Sequence, residues 1–563
     1  MKILQLDVNK IEFELIKPEL ETYERDQPKK SEIDEALVLF IAVEDGDNEA
    51  FGSKAVADAI GFAGKLKRHN LVLYPFAHLS SNLEEPQRAM NLFHYMIKEA
   101  EKSKMKVFHA PFGWNKSLKV DVKGHPLAEM SRNYGAEAKE AKKVKKRAYD
   151  ISLAKKVDWA GLPDSDHRTI AEKQDLFTFQ EVSPGMVYWH NNGFIIYKEL
   201  VRFIREKLEE YGYMEVSTPI MADTALWHIS GHIDHYRENM FILESGDHEM
   251  GLKPMNCPFS MLIFKSRKRS YRDLPQRYAE FGKLYRNEIS GALTGLFRVR
   301  ELVQDDAHLF VREDQMKQEL NSILKLLEEL YKPFNFTQKS KLSTMPDSRM
   351  GSDEIWEKAT NVLKEVMKEN GMKYELKEKE GSFYGPKIDF DIKDSMGREW
   401  QCATVQVDYN MPLRFGLSYV GEDGKEHSPV VLHKALYGSL ERFIGILIEH
   451  LQGKFPTWLA PIQVRVLTIS EKANKYAEEV FNQLKVQHIR AELDDSDKTL
   501  PYKIRDGQMQ QVPYMIILGE KEMEGKTISV RSRSGKQKMG LSIDEFVSSL
   551  KSEIAERKNE LML

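Results

Sequence analysis

At roughly 150 residues per domain, a chain of 563 residues has room for about three or four domains, each large enough to bury a core without staples. Lys plus Arg number 83 against 87 Asp plus Glu, a net charge of −4, and the two cysteines are Cys257 and Cys402. That balance advertises no global affinity for nucleic acid, so any RNA surface has to be local, and two cysteines make no disulfide framework. The longest apolar runs, such as 512–518 and 443–448, fall far short of the ~18 residues of a membrane span. Met1 to Val8 followed by charges carries no signal pattern, so a reducing, cytoplasmic setting with no membrane is expected.

In chain order, strand-like runs at 36–43 and 71–76 alternate with helical patterns at 53–69 and 86–104, which predicts an α/β domain over 1–135. The stretch from Glu137 to Arg147 follows, with six Lys or Arg and two Glu. It reads as a solvated helix or linker within 136–174, or as a holder of phosphates beside a nucleic-acid site. From about Asp175, long amphipathic helices (193–211, 315–331, 352–370) are separated by strand-like segments (277–285, 400–408), the texture of the largest domain, 175–456. Pro456 and Pro461 around Trp458 mark a break. Beyond it a strand at 464–469, a helix through Val486, a strand at 515–518 and a helix from Ser542 predict a second α/β unit over 457–563. Gly519 and Gly525-Lys526-Thr527 nearly spell a phosphate loop, but the intervening Glu-Lys-Glu-Met-Glu would repel a triphosphate.

Phe281 to Arg286 and Glu288 lead into a stretch holding Gly291 and Gly295, then Arg298 and Arg300. With strand-like ends on both sides, this predicts a hairpin whose arginines and glutamate face one way. An arginine fork suits a pair of phosphate oxygens, and a carboxylate two residues along a strand can accept from an exocyclic amine. Gly438 to Phe443 opens a helical run with a third arginine, Arg442. Together these residues resemble the triphosphate clamp of class II aminoacyl-tRNA synthetases, with Glu215 to Pro219 resembling the strand that ends in the dimer-forming proline. Cys257, His308 and His433 are separated by 51 and 125 residues, a weak metal signal by spacing alone. Their surroundings are more specific. Lys253-Pro-Met-Asn-Cys257-Pro, Gln304-Asp-Asp-Ala-His308, Phe383-Tyr-Gly-Pro-Lys387, Trp400-Gln-Cys402 and Leu432-His433-Lys-Ala435 resemble motifs of the threonyl-tRNA synthetase family, and the resemblance extends over essentially the whole chain.

That resemblance implies a multidomain α/β and α+β protein: an N-terminal deacylase-like editing domain, a class II antiparallel-sheet core and a C-terminal anticodon-binding domain. It implies one zinc ion on Cys257, His308 and His433, with Gln304, Asp306, Tyr384, Thr404 and Gln406 around L-threonine. Arg286 would take the α-phosphate of ATP, Arg442 the γ-phosphate and Glu288 the adenine amine. Arg298 and Gln401 would also lie at the nucleotide, and Lys387 near the reacting groups. Three protein ligands leave zinc open coordination, so the amine and hydroxyl of threonine could both bind it, whereas valine could not complete the site. Adenylate formation needs charge neutralisation, by arginines and Mg²⁺, more than acid–base catalysis. The implied partners are threonine tRNA, ATP, L-threonine and a second copy in a homodimer. Phe259-Ser260 stands where many relatives carry Gly-His, and Leu302 where an aromatic residue is common.

Serine differs from threonine by one methyl, worth only ~1–3 kcal/mol, so a separate hydrolytic site for seryl-tRNA is expected. Tyr74 to Ser81, Ala110 to Lys116 and Lys123 to Glu129 resemble the editing domain of archaeal threonyl-tRNA synthetases, itself similar to D-aminoacyl-tRNA deacylases. The likeness implies His78, Lys116 and Glu129 as editing residues, assisted by the tRNA's own 2′-hydroxyl. The C-terminal unit resembles the class IIa anticodon-binding domain through Lys503-Ile-Arg505, Val512-Pro-Tyr514 and Ser529-Val-Arg531, which implies that Glu522 and Arg531 read anticodon bases. The basic run Lys265 to Arg269 either meets an acceptor stem or coats a helix. The rivals are a synthetase for another amino acid, which the zinc triad disfavours, and a silent RNA-binding protein on this scaffold, which Arg286, Glu288 and Arg442 disfavour.

Overall fold

The computed structural model describes residues 1–80, 82–125, 127–134, 155–246 and 248–563, so the basic run 137–147 lies outside the described residues. Two compact units divide the chain, Met1–Ala148 and Tyr149–Leu563. In the first, β1 (Lys2–Pro18), β2 (Lys30–Ala42), β3 (Asn70–Pro75), β4 (Lys106–His109), β5 (Trp114–Val122) and β6 (Glu129–Asn133) form one sheet in the order β4-β3-β2-β1-β5, with β6 also paired to β1. β2, β3 and β4 run parallel, which requires crossovers; α1 (Glu49–Lys65) and α2 (Pro86–Glu101) supply them. Ala36 to Ala42 are all buried because both faces of β2 are covered. Leu37, Leu39 and Ile41 pack with Phe62, Phe93 and Met96, while Ala36, Val38 and Phe40 pack with Phe13 and Tyr74. β1 has no counterpart among the sequence-predicted strands. Its buried Ile11, Phe13 and Leu15 alternate with Lys10, Glu12 and Glu14, and Lys10 and Glu12 pair across to Glu32 and Lys30 of β2, a pattern that dilutes hydropathy.

The second unit is built on an eight-stranded sheet in the spatial order Tyr374–Lys377, Thr337–Ser343, Lys387–Lys393, Glu399–Asp408, Val430–Ser439, Glu301–Val311, Gln276–Tyr285 and Met214–Glu215. It is antiparallel except at its two edges. Helices Asn191–Glu210, Met316–Tyr331, Asp353–Glu369 and Leu440–Leu451 share one core with it. Gln304, Asp306 and His308, Thr404 and Gln406, and His433 and Ala435 fall at alternate positions of three neighbouring strands, and so share a face. Between the Gln304/Ser439 and Asp306/Ala435 pairs the register slips. Asp305 fills the gap: its carboxylate accepts the backbone N–H groups of Leu436, Tyr437 and Gly438 at 2.9–3.1 Å.

Several local readings change. Of the Glu215 to Pro219 segment only Glu215 is in a strand, Met214–Glu215. Gln276–Tyr285 and Glu301–Val311 form the predicted hairpin, but the strand ends at Tyr285, so Arg286 and Glu288 do not share a strand face. Of the basic run, Lys265 donates to the Phe415 carbonyl and Arg269 to the Tyr278 hydroxyl, so neither simply coats a helix. Beyond the core, strands Ala491–Asp494, Val464–Thr468, Tyr514–Leu518, Ile528–Ser532 and Gln537–Leu541 make a five-stranded sheet in that order. Arg490 and Arg557 tie that region to Glu199 and Glu206 of helix Asn191–Glu210. Among the described residues no helix is long and apolar enough to cross a membrane.

Candidate functional site

Helix Cys257–Lys265 starts on Cys257 with Pro258 in its first turn, where a missing N–H costs nothing. His308 and His433 stand opposite each other on paired strands, rings 4.7 Å apart. Cys257 Sγ and a ring nitrogen from each histidine lie within 4.8 Å of one another, all three residues buried. Each histidine is held from behind: Ser260 Oγ is 3.0 Å from His308 Nδ1, and Asp408 Oδ2 is 3.0 Å from His433 Nε2. The remaining nitrogens, His308 Nε2 and His433 Nδ1, are buried without a hydrogen-bond partner, a costly condition that a cation relieves. Burial, then His433 and Lys434, hold the His308 imidazole neutral, well below its ordinary range. Burial, then Asp306 and Asp408, push the Cys257 thiol well up, so it ionises only against a positive ion. Two backed imidazoles and such a sulfur, with no fourth protein donor in the group, fit a zinc ion with an open coordination position. Asp408→Asn should weaken zinc about 10- to 100-fold, read by chelator competition; unchanged affinity would confine Asp408 to the turn at Asn410 and Met411, whose N–H groups it also accepts.

Beside this cluster lies a cavity of about 360 Å³ lined by Cys257, Arg286, Gln304, Asp306, Tyr384, Thr404, Gln406 and His433. Asp306 accepts from Asn256 Nδ2 at 3.1 Å, and burial pushes its carboxyl up to about 6. Asn256 can sit there only because Gly282 has no side chain, since a Cβ would meet Asn256 Oδ1 at 2.2 Å. Tyr384 donates to Gln406 Oε1 at 2.5 Å and Gln406 to Ser382 Oγ at 2.8 Å. Asp389 gathers Gln401 at 2.7 Å, Thr404 at 2.9 Å and Lys387 at 2.8 Å. Arg442 sits in the first turn of helix Leu440–Leu451, its Nε buried and unpartnered, its guanidinium 5.8 Å from the Trp400 ring. Glu288 and Arg298 are not on the cavity wall; they bind each other at 2.8 Å. Asn256, Ser260, Asp389 and Asp408 were not among the sequence candidates. Asn256 and Ser260 flank Cys257 within one helical turn, and Asp389 lies two residues from Lys387 on a strand, so periodicity offered a signal for three of them.

In the first unit, Lys116 Nζ donates to the Pro111 carbonyl at 2.7 Å and the Trp114 carbonyl at 3.1 Å, 5.1 Å above the Tyr74 ring. Burial brings its ammonium down to about 8 and pushes the Tyr74 phenol up to about 12. Lys116 and His78 line one largely apolar cavity of about 340 Å³ with Tyr74, Phe76, Phe93 and Trp114. Glu129 is not brought to it. Glu129 pairs with Leu6 of β1 and Lys116 with Leu15, nine strand residues away, about 30 Å. In the C-terminal region Glu522 already accepts from the Gly519 N–H at 3.0 Å and the Ser529 hydroxyl at 2.8 Å, whereas Arg531 Nε is buried and unpartnered.

Three family models match: the archaea-specific editing domain of threonyl-tRNA synthetase over residues 1–134, the class II core domain of tRNA synthetases (G, H, P, S and T) over 240–451, and an anticodon binding domain over 463–553. The threonine–tRNA ligase of Thermotoga neapolitana is 47% identical over 450 residues, 78% of this chain and 70% of that one. That of Carboxydothermus hydrogenoformans is 46% identical over 426 residues, 74% and 67% of the two chains. A crystal structure of the RNA binding domain of threonyl-tRNA synthetase from Cryptosporidium parvum aligns with a TM-score of 0.67 at 41% identity, covering 69% of this chain and 98% of that one. By these three domain matches and these identities, the chain belongs to the threonyl-tRNA synthetase family, class II ligases that aminoacylate tRNA, in the form carrying the archaeal-type editing domain.

Proposed function

We propose that this chain activates L-threonine with ATP and Mg²⁺ in the 360 Å³ cavity, transfers it to threonine tRNA, and clears misattached serine in the cavity that holds Lys116. The cluster of Cys257, His308 and His433, with two orphaned imidazole nitrogens aimed together, carries the substrate assignment. Zinc held there would supply Lewis-acid sites for the threonine amine and hydroxyl, so that valine, lacking the hydroxyl, leaves a polar position empty. Asp306, oriented by Asn256, accepts from the substrate's polar hydrogens, and Tyr384 and Gln406, already bonded to each other, form the wall around its methyl. Arg286 neutralises the α-phosphate, Arg442 the γ-phosphate, and Lys387, steered by Asp389, the carboxylate and phosphate as they meet. Gln401, Glu288 and Arg298 serve the nucleotide, and Glu522 and Arg531 the anticodon. The groove of Phe194, Tyr197, Val201, Arg205 and Phe281, with Phe194 44% exposed, supports a homodimer across that face. Both cysteines are free and buried, in keeping with a reducing cytoplasm.

Lys116 has a geometry for hydrolysis in either protonation state. As an ammonium it has three hydrogens, two of them given to Pro111 and Trp114, and the third is free for the ester carbonyl. As an amine it gives both hydrogens to those carbonyls and turns its lone pair to the cavity, where it can orient water. Threonine-dependent exchange of pyrophosphate into ATP tests the synthetic half: a zinc-loaded sample should exchange with threonine and not with valine, and absence of threonine exchange would overturn the assignment.

A further inference from the structure

The loop between β1 and β2 folds back onto the segment that ends in Lys116. Glu19 and Leu20 donate their N–H groups to the Gly113 carbonyl at 2.9 and 3.3 Å, and Glu24 donates its N–H to the Phe112 carbonyl at 3.1 Å. In return Phe112 N–H donates to Glu24 Oε2 at 2.9 Å, and the Trp114 indole N–H to the Glu24 carbonyl at 2.7 Å. So close an approach needs Gly113, whose φ is +80° and whose added Cβ would lie 2.4 Å from the Thr22 carbonyl oxygen. The two carbonyls that hold Lys116 Nζ, on Pro111 and Trp114, flank the same turn. Glu24 is itself gripped: His94 Nε2 bonds to Oε1, and His109 Nε2 lies 3.7 Å from Oε2.

We propose that Glu24, clamped by His94 and His109, is the positioning residue of the editing site, setting Lys116 in place through the Pro111–Trp114 turn and through its own negative charge. The proposal rests on the editing reading of that cavity and deepens it. Among the described residues no carboxylate bonds to Lys116 directly. Glu19, Tyr74, His78 and Glu84 are the other titratable groups on the cavity wall, and Glu24 is the charge that opposes burial in setting the lysine's proton affinity. Loss of that charge leaves the buried ammonium harder to keep, so any lysine-dependent limb of a pH–rate profile moves to lower pH, whichever protonation state acts.

The test uses the full chain with seryl-tRNA prepared beforehand, measuring deacylation against pH for Glu24→Gln, Glu24→Asp and Lys116→Ala, with threonylation alongside. Glu24→Gln should move the lysine-dependent limb to lower pH. Glu24→Asp, which keeps the charge on a stem one carbon shorter, should leave the limb where it is and slow deacylation at least tenfold. A Glu24→Gln profile superimposable on the parent's overturns the proposal. If that variant fails to fold, a parent-like rate in Glu24→Asp overturns it instead. Parent-like deacylation by Lys116→Ala would instead remove the editing reading itself, which keeps the two failures distinguishable.

Discussion

Replacing Cys257 with alanine should remove zinc and threonine activation together. Metal content should fall from one ion per chain to none, and threonine-dependent pyrophosphate exchange by at least ~10³-fold, on the order of 4 kcal/mol of transition-state stabilisation. The loss would be this large because an ion there would do two jobs at one point. It would relieve His308 Nε2 and His433 Nδ1, which are otherwise buried and unpartnered, and it would offer the substrate a place that no other group on the cavity wall duplicates. Cys257→Ser keeps a small polar residue at the helix start and should lose metal nearly as completely, since an alcohol does not ionise where a thiol already resists. Exchange at parent levels in a metal-free variant would show that the cluster has no part in choosing the substrate.

Lys116→Ala should leave threonylation intact while serine accumulates on the tRNA, with deacylation slowed about 10²- to 10⁴-fold. The parent's deacylation should change around pH 8, where burial places the lysine. If the ammonium acts, the rate is full below that pH and lost above it; if the amine acts, the rate climbs through it to a plateau. Stability has its own sign. The folded-state pKa lies below the ordinary 10.5, so the folded unit binds fewer protons than the unfolded chain between about 8 and 10.5. The lysine therefore costs stability below pH 8, and the cost fades as pH rises through that window. Lys116→Met should accordingly raise the thermal midpoint of the first unit at pH 7 while abolishing serine clearance. Unchanged clearance in either variant would place hydrolysis elsewhere.

Periodicity made the long helices legible: Asn191–Glu210, Met316–Tyr331 and Asp353–Glu369 each fall within two residues of their predicted bounds, because each carries one continuous apolar stripe. β1 escaped because charges alternate with its buried residues from Lys10 to Glu14, two of them, Lys10 and Glu12, paired with β2. What a sequence does not display is register. His308 meets His433 only because Glu301–Val311 and Val430–Ser439 pair residue against residue there, and Glu129 parts from Lys116 because each meets a different end of β1. The motifs therefore pointed to residues of the right chemistry, and the strand pairing decided which of them share a cavity. Of the supporting groups, Ser260 and Asp389 had only their spacing from Cys257 and Lys387 to signal them, and Asp408 had none, since what distinguishes it is the His433 nitrogen in front of it. Glu288 shows the converse error, a strand face assumed for a residue already past the end of its strand.

The slip beside Asp305 has a mechanical meaning. His433 lies on one side of it, and on the other come Ser439 and Arg442, whose N–H the Ser439 hydroxyl accepts at 3.2 Å. His433, beside the amino-acid pocket, and the helix that carries Arg442, which would grip the far end of the nucleotide, thus issue from a single strand, interrupted by one looped-out step. The length of that step is set by a carboxylate clasping three peptide N–H groups, not by a flexible connection. The two substrates would be spaced by one rigid ruler, whose only graduation is Asp305.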